Sequence, residues 1–265
     1  MKTVLITGAE GNIGTGLRRN LAGRYALRSL TRAPVNGLES TVADIADFDA
    51  ILPAFEGVDA VIHLAASATV DAEWPDVLHN NIEGLYNVFE ASRRAGVRQV
   101  VFASSNHAVG GYEADGVPAI YRRGSGVMVG IDAPLRPDSL YGVSKAFGEA
   151  MGRYFVEKFG LKVSCLRIGS VLADDDPRSD SITKGAGPFW LPAMSPEDRL
   201  RRYAATWLSH ADLARLVDAC LRAEGINFGI YYGVSDNPYR FWTLDNARAD
   251  LGYWPEDGAS AEGLE

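Results

Sequence analysis

Two kinds of apolar run alternate along the chain. The first kind is short, largely uninterrupted and rich in β-branched residues: Thr3–Thr7, Tyr25–Leu30, Ala60–Leu64, Val97–Ala103, Lys162–Ile168 and Gly229–Val234. Strands this apolar are expected where both faces are buried, as in a parallel sheet. In the second kind, apolar residues recur at helical spacing, over Asn12–Ala22, Phe48–Phe55, Pro75–Ala95, Ser139–Phe159, Ser209–Arg222 and Phe241–Leu251. Pro75–Ala95 is typical, with Val77, Leu78, Ile82, Leu85, Val88 and Phe89 on one face. Ser209 and Asp212 are placed like a capping box at the head of their helix. Alternating β and α units imply right-handed crossovers, so the fold class predicted is α/β with a doubly wound parallel sheet and helices on both faces.

The pattern loosens from Val171 to Tyr203, a stretch with Asp174-Asp175-Asp176, several glycines and prolines. It reads as a long loop or a small element covering a substrate. The tail after Pro255 reads as loose. No internal repeat or low-complexity linker interrupts the chain, so one continuous domain over 1–265 is expected, its substrate-binding elements drawn from about 171–208 and 229–255 as a small C-terminal lobe.

Composition is that of an ordinary globular protein, with 47% hydrophobic and 23% charged residues in 265. A formal net charge of -8 argues against nucleic acid or an anionic membrane as partner. Cys165 and Cys220 form no CxxC pair and no metal-ligand cluster, and are read as buried free thiols with no metal site. No signal-like segment precedes Thr3 and no apolar stretch is long enough to span a bilayer, so the expected compartment is the cytoplasm.

Candidate chemistry begins immediately after the first strand. Gly8-Ala9-Glu10-Gly11-Asn12-Ile13-Gly14 joins that strand to a helix. Glycines there permit a tight turn and close backbone approach to a pyrophosphate, which the helix N-terminus also favours. The tip of the second strand, Leu30-Thr31-Arg32, carries no acid to accept from a ribose 2′-hydroxyl. Arg32 could pair with a 2′-phosphate or stack on adenine, so NADP is favoured, with NAD the alternative. Asp44 and Ile45, after the presumed third strand, are placed to contact the adenine edge.

A second cluster is Tyr141-Gly142-Val143-Ser144-Lys145, at the head of the long helix. A spacing of four puts Tyr141 and Lys145 on one helical face. An ammonium beside a phenol favours phenolate, so Lys145 is expected to lower the Tyr141 pKa and make it a general base. The strand Val100–Ala103 runs into Ser104-Ser105-Asn106-His107. Ligands of open α/β sheets bind outside such carboxyl ends. Ser105 is then expected to orient a reacting hydroxyl toward Tyr141, with Asn106 and His107 facing other substrate hydroxyls.

The glycine spacing, His63-Leu64-Ala65-Ala66, Ser104-Ser105 and the Tyr141/Lys145 pair together resemble the extended short-chain dehydrogenase/reductase family, from Thr3 to about Tyr253. The resemblance implies a Rossmann fold, Tyr141 as base, Lys145 as its electrostatic partner and ribose ligand, and Ser105 as the stabilising hydroxyl. It also implies that Asn81 supports the Tyr–Lys site, and that Leu64, Ala65, Ala66 and Ile168 lie along the cofactor.

Four segments narrow the match: Phe102–His107, Leu140–Lys145, Arg167–Ser170 and Thr206–Ser209 resemble hexuronate dehydrogenases and the haloarchaeal pentose and glucose-6-phosphate dehydrogenases. Members of this group oxidise a sugar at its anomeric C1 to a lactone. By the same resemblance Ser170 and Arg202 match carboxylate-binding positions. The loop from Tyr121 to Pro137 and the segment Tyr232–Asn237 look closer to the aldose branch. Phe241 and Trp242 are read either as core or as walls of the pocket. The expected partner is a small sugar, and long helices of this family often pair into a homodimer. The alternative reading is a nucleotide-sugar epimerase or dehydratase of the same superfamily. A redox-sensing binding protein without catalysis would have no need of Ser105, Tyr141 and Lys145.

Overall fold

The computed structural model describes residues 1–184, 191, 193–260 and 262–263. Seven parallel strands form one sheet among these residues, in the order β3-β2-β1-β4-β5-β6-β7. They are β1 (Thr3–Thr7), β2 (Ala26–Thr31), β3 (Glu39–Val42), β4 (Ala60–His63), β5 (Gln99–Ser105), β6 (Lys162–Ile168) and β7 (Phe228–Gly233). The order reverses between β1 and β4, which creates the crevice where doubly wound sheets bind ligands. The register brings the carboxyl ends together: Thr7 pairs with His63, His63 with Phe102, Ser105 with Ile168, and Ile168 with Gly233.

The absence of polar alternation in the strands has its counterpart in the packing. Val4 and Ile6 of β1 point into one core and Leu5 into the other; Ala60 and Ile62 oppose Val61 in β4, and Val101 and Ala103 oppose Val100 and Phe102 in β5. Helices cover both faces. α1 (Asn12–Leu21) and α8 (His210–Arg222) contribute Leu17, Leu21, Leu216 and Val217 to the first core. On the other face lie α2 (Phe48–Ile51), a helical rod α3 (Trp74–Arg94) and the long α5 (Leu140–Phe159), bringing Val88, Phe89 and Phe155. Cys165 and Cys220 are free and buried.

The helix expected over Phe48–Phe55 is α-helical only to Ile51 and 3-10 over Leu52–Phe55, and three further elements differ from the sequence reading. The helix expected over Pro75–Ala95 is a rod of three parts, Trp74–Asp76, a π-helical stretch Val77–Glu83 and Gly84–Arg94, together α3. The stretch 171–203, expected as a long loop or a small element covering a substrate, contains the short helix α6 (Asp180–Lys184) and most of a full helix α7 (Pro196–Thr206); within it, 185–190 and 192 lie outside the described residues. α7 buries Arg201 and Arg202 as well as Ala204 and Ala205, so its inward face has no hydrophobic period to read. Its start is nevertheless signalled, since Ser195 accepts from the Asp198 N–H and Pro196 follows the cap. The last helix, α9, spans only Asp245–Leu251. Phe241 and Trp242 precede it as core residues, Trp242 stacked on Tyr232 and Phe241 against Tyr121, and they do not wall the cavity described below. One more helix, α4 (Gly110–Gly116), follows the 3-10 turn Asn106–Val109.

Candidate functional site

A cavity of about 1040 Å³ opens at the carboxyl ends of β1, β4, β5 and β6. One end is walled by Gly8, Gly11, Asn12, Ile13 and Gly14, with Arg32, Asp44 and Ile45 beyond them and Leu64, Ala65 and Ala66 alongside. The other end is walled by Ser105, Asn106, His107, Tyr141 and Lys145, with Ile168, Ser170 and Arg202. Asn81 stands behind the wall, with no part in the lining.

The glycine loop is built for close approach. Gly8 has φ +70°, and a Cβ there would stand 2.9 Å from the Ala65 nitrogen. Gly11 caps α1 without a side-chain hydrogen bond, so no capping oxygen competes for the first-turn N–H groups. An uncapped helix N-terminus facing a cavity fits a phosphate-bearing cofactor. Beneath it, Thr7 Oγ1 accepts from the N–H groups of Leu64 and Ala65, both at 3.1 Å. Its one proton therefore goes to His63 Nδ1, 2.8 Å away. Burial drives the His63 pKa down to about 3, so this ring is a neutral strut that ties β1 to β4. At the far rim Asp44 accepts from the Ala46 N–H and pairs with His79, and its carboxyl is held low mainly by His79 and to a lesser degree by Arg32.

Tyr141 stands where α5 begins, in the first turn after Ser139, whose hydroxyl accepts from the Gly142 N–H at 3.0 Å. Lys145 lies one turn on, fully enclosed, donating to the Ala103 carbonyl at 2.7 Å with its Nζ 5.3 Å from the Tyr141 ring centre. Asn81, in the π stretch of α3, anchors this helix from behind. Its amide donates to Ser144 Oγ at 3.0 Å and to the Ser67 carbonyl, while its oxygen accepts from the Ser67 N–H at 2.7 Å. Ser144 in turn donates to the Tyr141 carbonyl.

The expected lowering of Tyr141 by Lys145 is opposed by burial. Burial lifts Tyr141 to about 12; a hydrogen bond with Ser105 pulls the other way and the Asp138 carboxylate adds to the rise. Burial also lowers Lys145 to about 7, so the ammonium expected to favour phenolate is itself disfavoured.

The polar end carries two further constellations. His107 Nδ1 lies 2.7 Å from Asp138 Oδ2, and its ring meets Tyr141 edge-on at 5.8 Å between centroids. Asn106 accepts from Ser105 through its amide oxygen, while its buried amide nitrogen has no protein partner, an unfilled donor in the cavity wall. Arg202 pairs through Nε with Glu113 Oε1 at 2.8 Å, and the Tyr121 hydroxyl donates to the same oxygen. Sequence reasoning missed Glu113, Asp138 and Ser67. Ser67 was signalled by its position just past His63-Leu64-Ala65-Ala66 at a strand end. Glu113 and Asp138 belong to a connection with no periodic pattern, and nothing in it points to Arg202 or His107.

The NAD dependent epimerase/dehydratase family matches residues 4–185. The NAD-dependent glucose-6-phosphate dehydrogenase of Haloferax volcanii is 38% identical over 97% of this chain and 94% of its own length. The L-arabinose 1-dehydrogenase (NAD(P)(+)) of the same organism is 37% identical over 98% of each. Among solved structures, a uronate dehydrogenase variant from Agrobacterium tumefaciens complexed with NAD superposes with a TM-score of 0.79 at 32% identity, over 98% of this chain and 87% of that one. The glycine loop, the parallel sheet with its switch point and these matches lead to one assignment: the chain belongs to the NAD-dependent epimerase/dehydratase family, and its relatives there include NAD(P)-dependent sugar dehydrogenases.

Proposed function

We propose that this protein is an NAD(P)-dependent dehydrogenase that oxidises the anomeric C1 hydroxyl of a cyclic sugar (an aldose, a sugar phosphate or a hexuronate) to its lactone. The observation that carries the reading is the convergence of Ser105, Tyr141 and Lys145 on the end of β5, inside the cavity that the glycine loop also walls. Gly8, Gly11, Asn12, Ile13 and Gly14 hold the pyrophosphate, and Leu64, Ala65, Ala66 and Ile168 line the cofactor's path. Asp44 and Ile45 take the adenine edge. Arg32, exposed at the rim, favours NADP over NAD. The nicotinamide, when bound, accepts the hydride and brings a positive charge.

The protein's share is positioning and proton transfer. Ser105 holds the C1 hydroxyl against Tyr141. Tyr141 takes the hydroxyl proton as the C1 hydrogen departs with its electron pair, and the C1–O bond becomes a carbonyl. Lys145 fixes the cofactor ribose and, while charged, stabilises the Tyr141 phenolate. Asn81 holds the turn of α5 that carries both. Asn106 and His107 meet other hydroxyls of the ring, and Ser170 and Arg202 close the far side. Absorbance of reduced cofactor, followed with a panel of aldoses, sugar phosphates and uronates in NAD and in NADP, tests the reading. Turnover of at least one sugar is expected; none in either cofactor would sink it.

A further inference from the structure

Two side chains that line the cavity together with Tyr141, Arg202 and Ser170, decide what kind of group their wall can receive. Arg202 is 5% exposed, and a guanidinium in a cavity wall ordinarily selects a carboxylate. Here a carboxylate is already supplied by the protein: Glu113, 1% exposed, sits 2.8 Å from Arg202 Nε. The Glu113 charge is further fixed by the Tyr121 hydroxyl at 2.6 Å. The pair is buried, so its mutual field is weakly screened and little attraction remains for a second anion. Arg199 lines the same cavity, with Nε and Nη1 donating to the carbonyls of Ile182 and Met194.

Ser170 points the same way through a separate chain of hydrogen bonds. Thr206 Oγ1 donates to the Arg202 carbonyl at 2.9 Å. A threonine hydroxyl has one proton, so in the 2.9 Å contact between Ser170 Oγ and Thr206 Oγ1 the donor is Ser170. Ser170 then faces the cavity as an acceptor. An acceptor can take a hydroxyl proton; it cannot serve a carboxylate, which only accepts.

We infer that Glu113 and Thr206 are specificity-determining residues that tune this wall for an uncharged sugar hydroxyl and against the carboxylate of a hexuronate. The inference rests on the sugar dehydrogenase reading above. It makes Glu113 a positioning residue that acts through Arg202, and Thr206 one that acts through Ser170.

Initial rates on matched pairs test it, galactose against galacturonate and glucose against glucuronate, with the wild type and with the Glu113→Gln and Thr206→Val variants. The wild type is expected to favour the neutral member of a pair. Glu113→Gln keeps the shape and removes the counter-charge, so the uronate-to-aldose ratio of kcat/KM should rise about ten- to a hundredfold, the contribution of a charge-assisted hydrogen bond. Thr206→Val frees the Ser170 proton and should raise the same ratio. A structural role alone would lower both substrates by one factor and leave the ratio unmoved. A wild type that prefers the uronate overturns the inference even if Glu113→Gln does not fold, and so does an unchanged ratio in the variants. A wild type that oxidises no sugar overturns the dehydrogenase reading itself, and is recognised by silence across the whole panel.

Discussion

At the scale of single residues, the proposed chemistry depends on two groups whose ionisation burial opposes. Burial pushes Tyr141 up to about 12 and Lys145 down to about 7. Tyr141→Phe removes the phenol proposed as base and should lower kcat by roughly 10²–10⁴-fold, the usual contribution of a general base. Cofactor affinity, read by fluorescence titration, should hardly change; full activity would refute the base assignment. Lys145 also makes a prediction about stability. Its folded pKa lies below its unfolded value of 10.5, so between pH 7 and 10.5 the unfolded chain binds the extra proton. Stability therefore rises with pH through that window. Cys220 opposes the rise above pH 9, where its thiol ionises only in the unfolded chain, because burial holds it near 12 when folded. The clean interval is pH 7 to 9, in which the melting temperature of the ligand-free protein should climb and that of Lys145→Met should stay flatter; parallel curves would remove Lys145 as the cause. For Arg32, the expected result of Arg32→Ala is a fall in the NADP-to-NAD ratio of kcat/KM of about tenfold or more, one charge-assisted contact. An unchanged ratio would mean that Arg32 does not read the 2′-phosphate.

Secondary-structure elements explain why some of this site was legible and some was not. Gly8, Ser105 and Tyr141 each stand at a strand end or helix start, and those boundaries are marked by where apolar runs stop. Asn81 reaches Ser67 and Ser144 from a π-helical turn, and its spacing in the sequence gives no sign that the regular helix is interrupted there. The segment that holds α7 reads as a long loop or a small covering element because two arginines take places that a hydrophobic period would need; Arg201 pairs with Glu197 and Asp198 of α7 itself, and Arg202 with Glu113, which lies elsewhere in the chain. The start of α5 shows how tightly one element holds the candidate site. A Cβ on Gly142 would stand 2.3 Å from the His107 carbonyl oxygen, and that oxygen belongs to backbone that cannot step aside. Gly142→Ala should push the first turn of α5 away from the end of β5 and carry Tyr141 with it. A loss of kcat of about a hundredfold is expected, as for a displacement near 1 Å, with the protein still folded by circular dichroism. Wild-type rates in Gly142→Ala would show that the turn has room.

For the whole molecule, the pattern of continuous apolar strands was enough to anticipate a parallel sheet clothed on both faces, because that pattern is a direct consequence of burial from two sides. What it could not anticipate is the polar pin through the second layer. Glu149 of α5 and Arg167 of β6 form a bidentate pair, 2.8 Å through both Nε and Nη2, with side chains 4% and 3% exposed. Ser104 of β5 donates to Glu149 at 2.7 Å, and Arg167 also reaches the Tyr232 hydroxyl of β7. The ion pair thus joins the helix that bears Tyr141 and Lys145 to β6, and the hydrogen bond from Ser104 joins the same carboxylate to β5, the strand that ends in Ser105. Removing one partner leaves a buried charge without compensation, which costs about 3–5 kcal/mol, whereas replacing both by apolar groups is often close to neutral. At about 2–4 °C per kcal/mol for a chain of this size, Glu149→Met should lower the melting temperature by roughly 10 °C, and adding Arg167→Met should recover most of that loss. If the double variant is as unstable as the single one, the pair contributes through shape and not through charge. If instead stability returns while kcat stays low, the pin's role is to hold α5 at its working distance from β5, because the apolar pair restores the core without restoring the hydrogen bond to Ser104, the neighbour of Ser105.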